Sequence, residues 1–238
     1  MTQTIELGDI SIQVTRKPIK HVHLSVYPPM GRVTMTAPVA TRPEVARVYA
    51  ISKLRWIREQ QERLRRQARE SQRQYIDRET HWLWGHRHLL TVEHGNVRPF
   101  IRVEHRRLIL TVRPGATQEK REEIIQEWYR SLLHSALPDI IDKWEKKFRV
   151  RLEGYTLQRM KTKWGTCNHR ARTIRLNSEL AKKPKDLLDY VVAHEMAHLV
   201  EPSHNEDFHA LMDKHYPSWR EARLELNELP LAAEAWSC

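Results

Sequence analysis

The run His194-Glu195-Met196-Ala197-His198 combines the residue types of a hydrolytic metal site. Positions four apart share one face of an α-helix, so the two imidazoles can reach a single metal ion. Zinc is the usual occupant of such a pair, and a catalytic zinc keeps one coordination position for water. Glu195 is placed to take a proton from that water and to pass it on later. The run therefore predicts zinc-dependent hydrolytic chemistry.

The helix that carries this run is expected to be buried. The preceding segment, Leu187–Ala193, is almost continuously apolar, which argues against a surface helix with incidental histidines. Pro184 suits the first turn of that helix, where a missing backbone N–H costs nothing. Pro202 disfavours helical geometry at Glu201, so the helix should end within a turn of His198.

A third metal ligand is expected just beyond this helix end. His204 follows the turn at Pro202, where a chain that folds back would bring its imidazole to the metal. Three histidines and a water form a known catalytic zinc arrangement. Other ligands remain open on spacing alone: His209, His215, Glu201, Glu206 and Asp207.

The composition indicates a globular protein of modest size. The 238 residues are 40% hydrophobic and 30% charged, and no run of apolar residues is long enough for a membrane span. The N-terminus lacks the layout of a signal peptide, and the two cysteines, Cys167 and Cys238, form no disulfide framework. We therefore expect a protein of the reducing cytoplasm.

The formal charge of +11 favours contact with anions, and much of the excess is local. Residues 42–73 carry ten Arg or Lys against four Glu, within a long helix predicted from Pro43 to about Tyr75. The first half of this helix should pack through Val48, Ile51, Leu54 and Ile57, and the second half should project as a basic arm. Nucleic acid is a candidate partner for the arm, although a solvated helix is the preferred interpretation.

The pattern along the chain indicates an α+β fold without an evident internal repeat. Residues 3–37 should form short antiparallel strands, and a second group of strands should occupy residues 82–112. Thr117 should cap a helix that runs to about Lys147 and breaks near Pro138. Residues 151–159 should form a strand, and residues 164–177 a hairpin just before the metal helix. Histidines 81, 86, 88, 94 and 105 are expected on strand surfaces, with a second metal site as the less favoured alternative.

Four segments carry a resemblance to a known family. Lys161–Cys167, Ile174–Asn177, Asp189–Leu199 and Ser203–Phe208 closely resemble the bacterial YgjP-like metal-dependent hydrolases, which are similar to the SprT-like zincin proteases around the active site. The resemblance implies a zincin-like catalytic domain at residues 116–238, with the metal helix packed on a small sheet. It also implies a strand-rich N-terminal region at residues 1–115 that includes the basic helix 43–75.

The resemblance assigns roles to the same residues that the spacing selects. It implies metal ligands at His194, His198 and His204, with Glu195 catalytic. This chain departs from the family by having Thr166 where serine is usual, and His209 where tryptophan is common. Neither position is an expected ligand, but His209 lies close enough in sequence to change the pocket or compete for metal.

Three functions compete on the sequence. The first is a cytoplasmic zinc metallopeptidase in which Glu195 activates a zinc-bound water and the Thr173–Asn177 strand aligns an extended peptide by backbone pairing. The second is a zinc-dependent nucleotide pyrophosphatase or other phosphoanhydride hydrolase, with phosphates neutralised by Lys161, Lys163, Arg172 or Arg175. The third is a basic nucleic-acid-binding protein with a structural zinc, which is disfavoured because structural sites are usually cysteine-rich.

Overall fold

The computed structural model describes residues 2–27, 31–66, 73–160 and 163–228. The described residues form two compact units, 2–66 and 73–228, each with a hydrophobic core of its own. No helix within the described residues combines the length and the hydropathy needed to cross a bilayer.

The first unit contains a four-stranded sheet. Its strands are β1 (Thr2–Leu7), β2 (Ile10–Lys17), β3 (His23–Tyr27) and β4 (Arg32–Pro38), in the order β1-β2-β4-β3. The outer pairs are antiparallel hairpins, as predicted, but the central pair β2 and β4 is parallel. Alternation of apolar residues identifies strands, yet it does not reveal which strands become neighbours when two hairpins join side by side.

The basic helix is interrupted, and its apolar residues are distributed differently from the prediction. Helices α1 (Pro43–Ser52) and α2 (Leu54–Arg66) are separated at Lys53, and the predicted continuation through residues 67–72 lies outside the described residues. The prediction that Val48 and Ile51 pack is wrong, since they are 66% and 49% exposed. The small residues Ala46 and Ala50 face the core instead, one turn apart on the opposite side of α1.

The second unit begins with a sheet of the same topology. Strands β5 (Thr80–Leu83), β6 (His86–His94), β7 (Phe100–Glu104) and β8 (Arg107–Val112) lie in the order β5-β6-β8-β7. Again the outer pairs are antiparallel and the central pair is parallel. The two four-stranded sheets thus have the same strand order and the same strand directions, although the sequence shows no evident internal repeat.

A long helix, α3 (Gln118–Phe148), follows β8 and covers this second sheet. Its N-terminus is capped by Thr117, whose hydroxyl accepts a hydrogen bond from Lys120 N, as predicted. The predicted break at Pro138 is absent: α3 continues through it, with buried Leu137 before the proline and buried Trp144 after it. Because the sheet and α3 share one core, the predicted division at residues 115 and 116 falls inside this compact unit.

The C-terminal part of this unit holds a three-stranded sheet and three helices. Strands β9 (Gly154–Gln158), β10 (Gly165–Asn168) and β11 (Thr173–Asn177) lie in the order β10-β11-β9. The predicted hairpin is β10–β11, and β11 also pairs with β9 in parallel. After a short 3₁₀ helix, Ser178–Lys182, come the helices α4 (Lys185–Ala197), α5 (Glu206–His215) and α6 (Trp219–Glu228).

The position of β11 overturns one prediction. Because β11 is the central strand of its sheet, its backbone groups are already paired with β9 on one side and with β10 on the other. It cannot align a peptide by backbone pairing, so the expectation for Thr173–Asn177 is wrong. Among the described strands, β10 has the free edge on the hairpin side of this sheet.

Candidate metal and catalytic centre

Helix α4 carries the first two histidines because its apolar residues bury nearly its whole length. Leu187, Leu188, Val192 and Met196 are buried in the core, which fixes the rotation of the helix. The helix begins just after Pro184 and reaches its C-cap at His198, as predicted. His194 and His198 consequently project from one face at its last turn.

The turn after α4 is stabilised by local hydrogen bonds. The backbone N–H and hydroxyl of Ser203 both donate to Glu201 Oε1, at 3.2 and 2.9 Å. Asn205 then caps α5 by accepting a hydrogen bond from Phe208 N at 2.9 Å. These contacts reverse the chain between the two helices and fix the position of His204.

The three histidines form one cluster. Their ring nitrogens all lie within 4.8 Å of one another, and Nε2 of His204 is 2.9 Å from Nε2 of His194. Nδ1 of His198 lies 3.1 Å from the carbonyl oxygen of Glu201, a hydrogen bond that leaves Nε2 of His198 free to bind a metal.

The chemistry of this cluster fits a zinc ion. Burial is the main reason that the pKa of each of the three imidazoles is lowered, to about 3 for His194, so the neutral form that binds metal is favoured. Neutral imidazole nitrogen is a ligand that zinc prefers, and these three side chains would hold the ion between them. Two neutral imidazole nitrogens as close as those of His194 and His204 must share either a proton or a cation.

Phe208 provides an apolar wall for the cluster. Its ring is almost fully buried, and its centroid lies 5.1, 4.6 and 4.8 Å from those of His194, His198 and His204. The contact limits the orientations of all three imidazoles and excludes water from one side of them.

The alternative ligands lie elsewhere. The ring of His209 stacks on Trp219 with centroids 5.5 Å apart, and His215 packs against Phe148. The carboxylate of Glu201 is bound by Ser203. Across the described residues, the three histidines are the one group of His, Cys, Asp or Glu side chains with metal-binding spacing.

The strand histidines show no second centre among the described residues, and two of them are not on the surface. His81 and His88 are buried, so the prediction of a surface position is wrong for both. Nε2 of His81 lies 3.1 Å from the carboxylate of Glu79, and Nδ1 of His88 lies 3.1 Å from the carbonyl oxygen of His86. These contacts provide the hydrogen bonds that buried imidazoles require.

Glu195, a residue of α4, is buried against the edge strand β10. It is 7% exposed, and burial raises its pKa to about 7 although the positive charge of Lys163 lowers it. Gly165, the first residue of β10, lies directly against it: a Cβ at Gly165 would be 2.5 Å from Oε1 and 2.6 Å from Cγ of Glu195. A buried carboxyl with a raised pKa therefore lies against the edge strand β10.

Sequence reasoning did not single out Gly165, although it belongs to the Lys161–Cys167 segment that carries the family resemblance. Asn177, in the second such segment, was also missed. Asn177 is 4% exposed, and its Nδ2 donates to the carbonyl oxygens of Met160 and Lys163, at 2.8 and 2.9 Å. Its Oδ1 accepts from Met160 N and Glu179 N, at 3.3 and 3.1 Å. One amide thus fixes the loop that leads to Gly165.

The four basic residues predicted to bind substrate do not converge on this centre. Lys163 lies near enough to affect the pKa of Glu195, and Lys161 lies outside the described residues. Nε of Arg172 donates to the carbonyl oxygen of Arg151 at 2.8 Å. Arg175 alternates with the buried residues of β11 that face the core, so its side chain is on the opposite face of the sheet.

Comparison with known proteins agrees with the resemblance seen in the sequence. The sequence profile of the YgjP-like family, described as a metallopeptidase domain, matches residues 20–229. No curated protein matches the chain.

Two solved structures of metallopeptidase zymogens show similarity to part of the chain. Abylysin of Pyrococcus abyssi is 17% identical, with a TM-score of 0.35, over 37% of this chain and 89% of abylysin. Jannalysin of Methanocaldococcus jannaschii is 21% identical, with a TM-score of 0.33, over 37% of this chain and 90% of jannalysin.

Proposed function

The chain belongs to the YgjP-like metallopeptidase family and is a metal-dependent hydrolase, and from this premise we propose that it is a zinc peptidase in which Glu195 activates the attacking water. The observation that carries the proposal is the contact between Gly165 and Glu195. It supports a buried carboxyl, next in sequence to His194 of the cluster, that lies against the edge strand of the described sheet. Water, metal and an extended peptide would meet at this point.

The residues divide the chemistry among them. Zinc held by His194, His198 and His204 would polarise the scissile carbonyl and make water acidic enough to lose a proton near neutral pH. Glu195 accepts that proton and later delivers it to the departing amine. A pKa of about 7, raised by burial, suits both transfers.

Strand β10 has the geometry to hold an extended peptide. Asn177 N donates to the carbonyl oxygen of Trp164 at 2.9 Å, which makes residues 164 and 177 a hydrogen-bonded pair. By the alternation of an antiparallel ladder, the N–H and C=O groups of Gly165 and Cys167 then point to the free edge. A peptide that pairs with these groups would pass over Glu195.

The phosphoanhydride alternative receives less support from the charges. A triphosphate site needs several cations directed at one point, whereas Arg172 is bound to a backbone carbonyl and Arg175 lies on the far face of the sheet. If the zinc were structural and the protein bound nucleic acid, nothing would require a buried carboxyl next in sequence to a zinc ligand. Burying a charged group costs free energy, so a function for it is expected. For the cellular location, the free thiol of Cys167 supports the proposal of a reducing cytoplasm.

Parallel assays of the zinc-loaded protein test this function. A mixed-sequence peptide library and a panel of nucleotides would be incubated with wild type and with Glu195→Gln, and zinc content would be measured on both proteins. We expect peptide cleavage by wild type and its loss in Glu195→Gln with zinc retained. Release of pyrophosphate without peptide cleavage would instead establish the phosphoanhydride hydrolase.

A further inference from the structure

We propose that the protein selects peptides with acidic side chains, which Lys163 and Arg170 recognise at the two ends of β10. The proposal rests on the peptidase function above and names its substrate class. It concerns how Lys163 and Arg170 contact the side chains of the bound peptide. The metal ligands and Glu195 are not part of it.

The charge of the sheet next to the centre is one-sided. Residues 154–178, which comprise β9, β10, β11 and their connections, contain six Lys or Arg and no Asp or Glu. Arg159 is paired with Glu122 and Glu179, and Arg175 lies on the far face, so a peptide on the β10 edge would meet the remaining positive charge, including that of Lys163 and Arg170. Acidic side chains would be attracted and basic ones repelled.

Lys163 and Arg170 are both exposed and available. Neither forms an ion pair with any residue in the described part of the chain. Elsewhere in the same unit basic side chains commonly have carboxylate partners, as in Lys143–Asp189, Lys146–Asp142 and Arg220–Asp213. Unpaired cations at a binding edge are the groups that can gain a partner when a ligand arrives.

The backbone positions these two residues at opposite ends of the edge. Lys163 lies two residues before Gly165, and its carbonyl oxygen is bound by Asn177 Nδ2 at 2.9 Å. Arg170 lies in the hairpin turn, which is fixed by a 3.1 Å hydrogen bond from Ala171 N to Asn168 Oδ1. At about 3.4 Å per residue, a peptide of roughly seven extended residues would reach both cations.

A third cation lies on another element. Arg223 on α6 belongs to the same compact unit.

Matched peptides can isolate the preference. A cleaved library peptide would be made with Glu, Gln or Lys at the residues on either side of the scissile bond that reach the ends of β10. For wild type we expect kcat/KM to be about three- to tenfold higher for Glu than for Gln, the range for one or two exposed ion pairs. High salt should remove most of this difference.

Charge variants locate the source of the preference. Arg170→Glu should abolish or reverse the Glu-over-Gln ratio, and Lys163→Gln should reduce it. Arg175→Glu makes the same change in net charge as Arg170→Glu but on the far face of the sheet, so it should keep the ratio. Because each ratio compares two peptides on one protein, a change in Glu195 caused by the Lys163 variant cancels.

A binding measurement provides a readout independent of turnover. Zinc-loaded Glu195→Gln should bind a fluorescent Glu peptide more tightly than its Gln counterpart, and adding Arg170→Glu should remove the difference. Equal affinities, or a preference that Arg175→Glu removes equally well, would overturn the proposal. Cleavage of peptides without acidic preference would refute this inference alone, whereas nucleotide hydrolysis without peptide cleavage would refute the peptidase function as well.

Discussion

Replacing Gly165 by alanine tests whether the edge strand β10 fixes the position of Glu195, the proposed general base. Gly165 has no left-handed backbone conformation, so alanine introduces no backbone strain there. What it introduces is a methyl group 2.5 Å from Oε1, 2.6 Å from Cγ and 2.8 Å from Cδ of Glu195. The whole effect is therefore a collision with one carboxyl side chain.

The distances give the size of the effect. Ordinary contacts at a Cβ begin near 3.4 Å, so the strand or Glu195 must move by most of an ångström. Glu195 is buried and cannot simply swing into solvent. Overpacking of this kind costs about 1–3 kcal/mol, or roughly 2–10 °C in Tm for a unit of this size. A catalytic group displaced by ~1 Å loses on the order of 10² in rate.

The assay compares Gly165→Ala with a matched glycine on the other edge of the same sheet. A methyl group added at Gly154 would have no other atom within 4 Å, so Gly154→Ala should keep wild-type rate and stability. We expect Gly165→Ala to hold zinc while kcat on a cleaved peptide falls by about 10²-fold. Wild-type turnover in Gly165→Ala, or an equal loss in Gly154→Ala, would refute the role of this contact.

Other variants test the cluster, the carboxyl and the loop. His204→Ala should lose most of the zinc measured by elemental analysis after dialysis, while His209→Ala should keep it, because only His204 lies in the cluster; the opposite result would reject His204 as a ligand. Glu195→Gln should lower turnover at least ~10²-fold with zinc retained. In metal-free protein, calorimetry should show Glu195→Gln raising Tm at pH 8 but not at pH 4. A carboxyl with a raised pKa stabilises the fold below its ordinary pKa, and that contribution is lost as pH rises through about 7; equal shifts at both pH values would contradict this reasoning. Asn177→Asp removes both side-chain donations to Met160 and Lys163, so thermal unfolding should occur at a lower temperature and kcat should fall. Unchanged Tm and kcat would show that the loop needs no such support.

Much of the centre could be predicted because its determinants are local. The spacing of His194 and His198 depends only on helical geometry, and the turn that positions His204 follows from Pro202 and the cap at Asn205. Gly165 and Asn177 could not be assigned in the same way. Gly165 contacts Glu195, which is far along the chain. Asn177 binds a loop whose path the sequence does not specify.

Errors in the fold have the same origin. Strands were recognised from alternation, but the parallel pairing of β2 with β4 depends on how two hairpins meet. Apolar spacing in α1 suggested that Val48 would pack, whereas Ala46 and Ala50 allow the helix to approach the sheet on the other side. Pro138 was expected to break α3, yet burial on both sides of it keeps the helix continuous. In each case tertiary packing prevails over a local preference.

The presence of two separate cores has a consequence for cooperativity. A chain whose units each bury their own apolar residues is not expected to unfold in a single all-or-none step. Zinc binds only histidines of the second unit under the present proposal, and a ligand stabilises the unit that binds it. Adding zinc should therefore raise the temperature of one calorimetric transition and leave the other in place, and the transition that moves reports on the catalytic unit alone.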